Sequence, residues 1–223
     1  MNYANAKKGI GQIFTAEILQ LVSAIFMVIG TIITVAGTAT LIAGGLDGME
    51  TAMGAGAVGG IFGVVMTVVG GILAFVGFIL YIVGVGNASK DEDSFKKAML
   101  FLVLGLVCSL VSAFTTTVAG GIVSVVLRIL SELFQLISTI LVINGITTLA
   151  NKVGNSKVEQ KGQFTLKLIA IIIIISIVMS LISLIPAVAV GVIAGILNIV
   201  ASILSIVRYF VYLSLLANAK NMF

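Results

Sequence analysis

The sequence predicts an all-α membrane protein with six transmembrane helices, arranged as three helical hairpins that share one orientation. Three observations predict this fold: the chain is unusually apolar, long uncharged stretches separate its charged residues, and its lysines alternate regularly with the apolar segments. Of its 223 residues, 60% are hydrophobic and 9% are charged, whereas a soluble domain carries about a quarter charged residues. Such a chain cannot hide its apolar surface from water, and the bilayer is its natural solvent.

The uncharged stretches set the number of helices. They cover residues 18–46, 51–89, 98–127, 133–151 and 168–207. Several exceed the roughly 20 residues that one spanning helix needs, so turn signals must divide them. Those signals are the glycine-rich segment 43–48, the threonine- and glycine-containing segment 115–121, and Pro186, the only proline. The predicted helices therefore cover residues 14–42, 55–86, 96–115, 121–149, 164–184 and 188–216.

All the lysines fall on one side of the predicted helices. They precede helix one, lie between helices two and three and between helices four and five, and follow helix six: Lys7, Lys8, Lys90, Lys96, Lys97, Lys152, Lys157, Lys161, Lys167 and Lys220. The charged residues in the opposite loops are only Asp47 and Glu50. Because cytoplasmic loops are enriched in lysine and arginine, we expect both termini in the cytoplasm. The predicted location is the plasma (inner) membrane of a prokaryote.

The three hairpins are predicted to be degenerate repeats within a single transmembrane domain, residues 1–223. Their odd-numbered helices start alike, at Phe14, Phe95 and Phe164, and their even-numbered helices end alike, at Asn87, Asn151 and Asn218. The predicted repeat units are residues 5–88, 89–151 and 152–219. Each unit has two spans, so all three share one orientation, unlike the inverted repeats of many transporters.

The even-numbered helices, aligned on those asparagines, share one stripe of small and polar residues. Its members are Gly60, Val64, Thr67, Gly71 and Ala74 in helix two, Ser124, Arg128, Ser131, Gln135 and Ser138 in helix four, and Gly191, Gly195, Asn198, Ser202 and Ser205 in helix six. Alternating spacings of four and three place each set on one helix face.

Two interpretations of this stripe stay open. The first is close helix packing, which small residues allow in membranes; we expect it of Gly60, Thr67, Gly71, Gly191 and Gly195. The second is a polar path across the membrane, lined by Ser131, Gln135, Asn198 and Ser202. Helix two favours packing because its stripe is nearly all small residues.

Arg128 and Glu132 are the charged residues that the sequence places deepest in the membrane. In a helix that begins near Gly121, Glu132 lies about 16 Å along the axis, close to the bilayer midplane. An isolated charge there costs several kcal/mol, so each side chain should face protein or water and have a partner. The two residues are four apart and can pair with each other. Two interpretations stay open. In the first, Arg128 and Glu132 form a neutralised ion pair that fixes helix packing. In the second, Glu132 is an ion- or proton-binding carboxylate in a transport path.

The sequence carries no recognisable catalytic or cofactor-binding set. Histidine is absent, which removes the commonest general base and metal ligand. Cys108 is the only cysteine, so a cysteine–histidine metal site is excluded. The glycines show no phosphate-loop ending, and no basic patch with interleaved aromatic residues indicates nucleic-acid binding. We expect no enzyme activity, no cofactor, no metal and no nucleic-acid partner.

These features predict a non-enzymatic component of a channel or transporter, with a polar path between the even-numbered helices. The alternative is a structural or accessory subunit of a larger membrane protein complex, which would bind its partners through glycine-rich faces. The expected partners are membrane lipids and either further copies of the chain, in a homo-oligomer, or other membrane protein subunits.

Overall fold

A computed structural model describes residues 3–44, 49–118, 121–182 and 206–223 of the chain. Every regular element in these ranges is an α-helix. The six helices are α1 (Ala4–Gly44), α2 (Met49–Ala88), α3 (Asp93–Val118), α4 (Gly121–Lys152), α5 (Ser156–Ile182) and α6 (Ile206–Ala219). The predicted all-α class is therefore confirmed for these residues.

Four stretches of helix are long and apolar enough to cross a membrane: Ala4–Ala36, Gly60–Ala88, Asp93–Thr115 and Val126–Lys152. Each exceeds the roughly 20 residues that a bilayer core requires, so the chain has the character of a helical membrane protein. Six spans, the threefold repeat and the orientation stay predictions. Pro186 and most of predicted helix six lie outside the described residues.

Helices α1 and α5 begin well before the apolar stretches that predicted them, because polar side chains cap their starts. Asp91, in the turn between α2 and α3, accepts hydrogen bonds from the Ala6 backbone N–H (2.7 Å) and the Asn5 side-chain amide (3.0 Å). The Asn155 side-chain oxygen accepts one from the Val158 N–H (3.2 Å). The first N–H groups of a helix have no partner within it, so such acceptors stabilise its start.

The turn between α4 and α5 requires glycine at position 154. Gly154 has a backbone φ of 72°, in the left-handed region that glycine adopts without a steric penalty. Its N–H donates to the Asn151 carbonyl (3.1 Å), and the Asn155 N–H donates to the Ala150 carbonyl (2.8 Å). This is the Schellman arrangement that ends many helices. Asn155 thus closes α4 with its backbone and starts α5 with its side chain.

Residues Gln12–Val83 form one compact unit, the α1–α2 hairpin. Its helices approach most closely at three glycines of α2 spaced seven residues apart, Gly63, Gly70 and Gly77. A Cβ atom added at Gly63 would lie 2.7 Å from the carbonyl oxygen of Gly30 on α1. The buried Ser23 hydroxyl donates to the Gly70 carbonyl (2.7 Å). Because these positions lack side chains, the two backbones can touch, as in other closely packed membrane helices.

Residues Met1–Gly11 and Gly84–Phe223 form the second unit. Its fully buried side chains gather near the helix ends that carry the lysines, and include Phe95 of α3 and Ile146 of α4. The Phe95 ring packs on Gly145, where an added Cβ would lie 2.6 Å from a ring carbon. The middle of α3 instead exposes apolar side chains such as Leu110 (53% exposed). The chain thus has an internal core at one end of this unit and an apolar outer surface along its spans.

Replacing Gly63 with alanine should destabilise the α1–α2 hairpin, because the new methyl group meets the α1 backbone. We expect the free energy of unfolding to fall by about 1–3 kcal/mol, the usual cost of overpacking. Gly71→Ala is the matched control, since a Cβ there meets no atom within 4 Å and both variants gain the same helix propensity. Equilibrium unfolding in detergent, followed by circular dichroism, compares the two. Equal stability of both variants would contradict the observed seam.

Candidate functional site

The α3–α4 hairpin is held in one register by hydroxyl–carbonyl hydrogen bonds that recur every seven residues along each helix. Ser138 of α4 donates to the Ala98 carbonyl (2.9 Å), and Ser131 donates to the Gly105 carbonyl (2.9 Å). On α3, Ser112 donates to the carbonyl of Ser124 (3.0 Å). The three serines of α4 are buried. They form the seam between the two helices, so part of the predicted stripe serves packing.

The same register places Arg128 and Glu132 midway along the uncharged part of α3. Each step forward along α3 is matched by a step back along α4, so Arg128 lies level with Cys108 and Glu132 level with Leu104. The uncharged residues 98–118 of α3 measure about 30 Å at 1.5 Å per residue, which matches a bilayer core. Both charges therefore occupy the centre of the hairpin.

Arg128, Glu132 and Gln135 line an open groove beside the serine seam. The groove has a volume of about 330 Å³. Its lining is completed by Ser109, Ser112 and Ala113 of α3 and Ser131 of α4. Gln135 donates from Nε2 to Ser131 Oγ (3.3 Å), which ties the groove to the seam. Guanidinium, carboxylate, amide and hydroxyl groups thus meet on one outer face of the hairpin.

The ion pair that the i, i+4 spacing of Arg128 and Glu132 allows is not formed. Both side chains are exposed, and within the described part of the chain the ion pair found is Lys152 with Glu92, at 2.6 Å. An acid that follows its base along a helix is the less favourable order, which agrees with the separation of the two groups. The interpretation as a self-neutralised pair is therefore not supported, and whether the two residues act in transport stays a prediction.

The other predicted residues are distributed as follows. Thr67 takes part in the close approach of the α1–α2 hairpin, since its hydroxyl lies 2.6 Å from a Cβ added at Gly30. An added Cβ at Gly60 or Gly71 meets nothing within 4 Å, so their predicted packing role would need another surface. The remaining four predicted residues lie outside the described residues: Gly191, Gly195, Asn198 and Ser202.

Ser109 and Ser112 are groove residues that the sequence prediction missed. The prediction aligned only the even-numbered helices, whereas these two serines belong to α3. They lie three residues apart on an otherwise apolar segment, and that spacing already places both on one helix face. A search for polar residues at helical spacing in every span would have found them.

The lysine-bearing segments of the second unit meet at one end. Lys152 of α4 pairs with Glu92 of the α2–α3 turn, and Lys161 of α5 donates to Ser214 Oγ of α6 (2.6 Å). Asp91 caps α1 at the same end, as described above. These contacts bring together segments that the topology prediction placed on one side. Which side of the membrane this end faces stays a prediction.

No family model matches the chain, and neither a curated protein nor a solved structure has significant similarity to it. Within the described ranges, no group of acidic or cysteine side chains is arranged to hold a metal ion. The fold and the groove define a helical membrane protein that carries a polar groove on one of its hairpins.

Ser138→Ala should weaken the α3–α4 seam, because it removes a buried hydrogen bond to the Ala98 carbonyl. We expect the free energy of unfolding to fall by about 1 kcal/mol, as for other hydrogen bonds between membrane helices. Ser109→Ala is the matched control, since it changes an exposed groove residue, and its stability should stay within about 0.5 kcal/mol of wild type. Denaturant titration of both variants in detergent measures the difference. A larger loss for Ser109→Ala than for Ser138→Ala would contradict the assignment of seam and groove.

Proposed function

We propose that the chain is a non-enzymatic component of a membrane channel or transporter, and that the α3–α4 groove forms part of its polar path. One observation carries the proposal. A groove lined by two charged groups, an amide and several hydroxyls lies at the centre of a hairpin whose other exposed side chains are largely apolar.

The energy of a charge in lipid supports a path for water or solute at this groove. Arg128 and Glu132 are exposed, and neither is neutralised by a described residue of the chain. Exposing either charge to hydrocarbon costs several kcal/mol, so intramembrane charges face protein or water and commonly mark transport pathways. The groove is therefore a site where the chain excludes lipid in favour of a polar phase.

The lining chemistry suits a polar solute that leaves water. Arg128 supplies hydrogen-bond donors, Glu132 supplies acceptors, and Gln135 and the serine hydroxyls supply both. Permeation pathways use such groups to replace part of the hydration shell of the solute. A mixture of charged and neutral groups is more typical of a permeation path than of a site that binds a single ion tightly.

Asn198 and Ser202 are proposed to extend this path, as the sequence stripe predicted. The proposal also keeps the plasma (inner) membrane as the location, with both termini in the cytoplasm. No catalytic step is part of it, since the groove functions by contact and not by bond formation.

Glu132→Gln should change solute flux while the fold is retained, because it removes the charge and keeps the shape. The purified protein is reconstituted into phosphatidylcholine–phosphatidylglycerol vesicles, which are then shocked with urea, glycine or potassium chloride and followed by light scattering. Wild-type vesicles should re-swell faster than protein-free vesicles with at least one of these solutes. A charged contact contributes roughly 1.5–3 kcal/mol, so the variant should lower that rate about tenfold or more.

Glu92→Gln is the control for this experiment, because it makes the same chemical change outside the groove, in the α2–α3 turn. It should leave the flux unchanged. The proposal would be contradicted if wild-type vesicles re-swell no faster than protein-free vesicles with all three solutes. It would also be contradicted if Glu132→Gln leaves the re-swelling rate unchanged. Loss of folding with unchanged flux in the protein that survives would do the same.

The second candidate function is an accessory subunit, and the open positions of α2 favour it. Gly60 and Gly71 are not used for packing by the described residues, so they leave room for a close approach by another helix. Native mass spectrometry of the assembly extracted from its own membrane separates the two candidates. A single chain or a pure homo-oligomer favours the transport path, and a fixed ratio with another protein favours the accessory subunit.

A further inference from the structure

We propose that a second copy of this chain covers the α3–α4 groove, with Arg128 of each copy paired with Glu132 of the other. The inference rests on the proposed function, because it names the partner that completes the same groove. In a single chain the groove is open on one side, and a polar path requires a second wall.

The charges of the groove determine which groups that second wall must contain. Arg128 and Glu132 are both exposed and are not paired with each other. A buried cation requires an acid, and a buried anion requires a base, because an uncompensated charge is strongly unfavourable in a low-dielectric medium. A partner that satisfies both must therefore carry one charge of each sign within side-chain reach of these two groups.

A second copy meets this requirement by symmetry. In a two-fold dimer the same patch faces itself, so that residue i contacts residue j while j contacts i. A patch with one positive and one negative charge is complementary to itself in this way, whereas a patch with two like charges is not. One symmetric contact thus forms two identical ion pairs.

The helix geometry permits these pairs between copies that are inserted in the same orientation. Arg128 and Glu132 are separated by about 6 Å along the helix axis, and the arginine side chain is long enough to cover that difference in depth. The same groove also holds groups that can bond across the interface, namely Ser109 and Gln135. Ala113, at the edge of the groove, is small enough to allow a close approach.

Charge reversal in separate chains tests the inference. Two chains with different affinity tags are produced in one membrane: Arg128→Glu gives one groove two acids, and Glu132→Arg gives the other groove two bases. Differently tagged wild-type chains should co-purify. Each variant should co-purify with itself at least tenfold less, because like charges then face each other.

The acidic variant and the basic variant together should co-purify at the wild-type level, because both interchain pairs are restored. An ion pair within one helix cannot produce this pattern, since neither variant contains one. Undiminished self-association of either variant overturns the inference, and so does a mixture that associates no better than each variant alone.

Neutral variants cover the case in which a reversed charge prevents insertion. Arg128→Gln and Glu132→Gln should each reduce self-association severalfold, whereas Lys152→Gln, which lies at the α4 end outside the groove, should not. Equal association of all three overturns the inference.

Flux measured on the same preparations separates this inference from the proposed function. Restored association without solute flux leaves the pairing standing and removes the transport proposal. Flux through a chain that stays monomeric removes the pairing and leaves the transport proposal standing. Recovery of wild-type chains only in a fixed ratio with a different protein overturns the pairing.

Discussion

The candidate site depends on the antiparallel register of α3 and α4. A buried serine in a membrane helix must donate its hydroxyl hydrogen to some acceptor, and here the acceptors are carbonyl groups of the facing helix. Because these contacts recur every seven residues, a shift of one helix along the other would break them together. With the register fixed, Arg128, Glu132 and Gln135 can only emerge at the edge of the seam, beside the serines of α3.

The two hairpins use small residues for different purposes. In the α1–α2 hairpin the seam consists mainly of glycines, which allow the two backbones to approach closely. In the α3–α4 hairpin the seam is built on serine, whose hydroxyls fix the register and also contribute to the neighbouring groove through Ser131. Ser131 of α4 therefore serves both the packing of the hairpin and the polarity of the groove.

Apolarity and charge predicted much of the fold, since α3 and α4 end within a few residues of their predicted limits. The early starts of α1 and α5 were missed because they depend on Asp91 and Asn155, distant or polar caps that a hydropathy pattern does not contain. Matching positions in the predicted repeats also do not have the same degree of burial. The matched residues Phe95 and Phe164 differ completely, since the first is fully buried and the second is 57% exposed.

The packing face of α2 could not be chosen from the sequence, because glycines occur on several of its faces. The stripe through Gly60 and Gly71 and the seam through Gly63 and Gly70 are both small and both helical in spacing. Only contact with α1 distinguishes them. In α4 the choice was easier, since charged and amide side chains are rare in a membrane span and stand out individually. The two charged residues of the groove were therefore singled out from the sequence, whereas their separation from each other was not predicted.

The groove should face a polar or protein environment and not lipid, although it lies at mid-span. Spin labels at Ser109 and Leu110, each introduced as cysteine in a Cys108→Ala chain reconstituted in bilayers, test it at nearly the same depth. Ser109 lines the groove, and Leu110 is an exposed apolar residue next to it in the sequence. Dissolved oxygen, which concentrates in lipid, is expected to relax the Leu110 label much more strongly than the Ser109 label. Equal relaxation of the two labels by oxygen would contradict it.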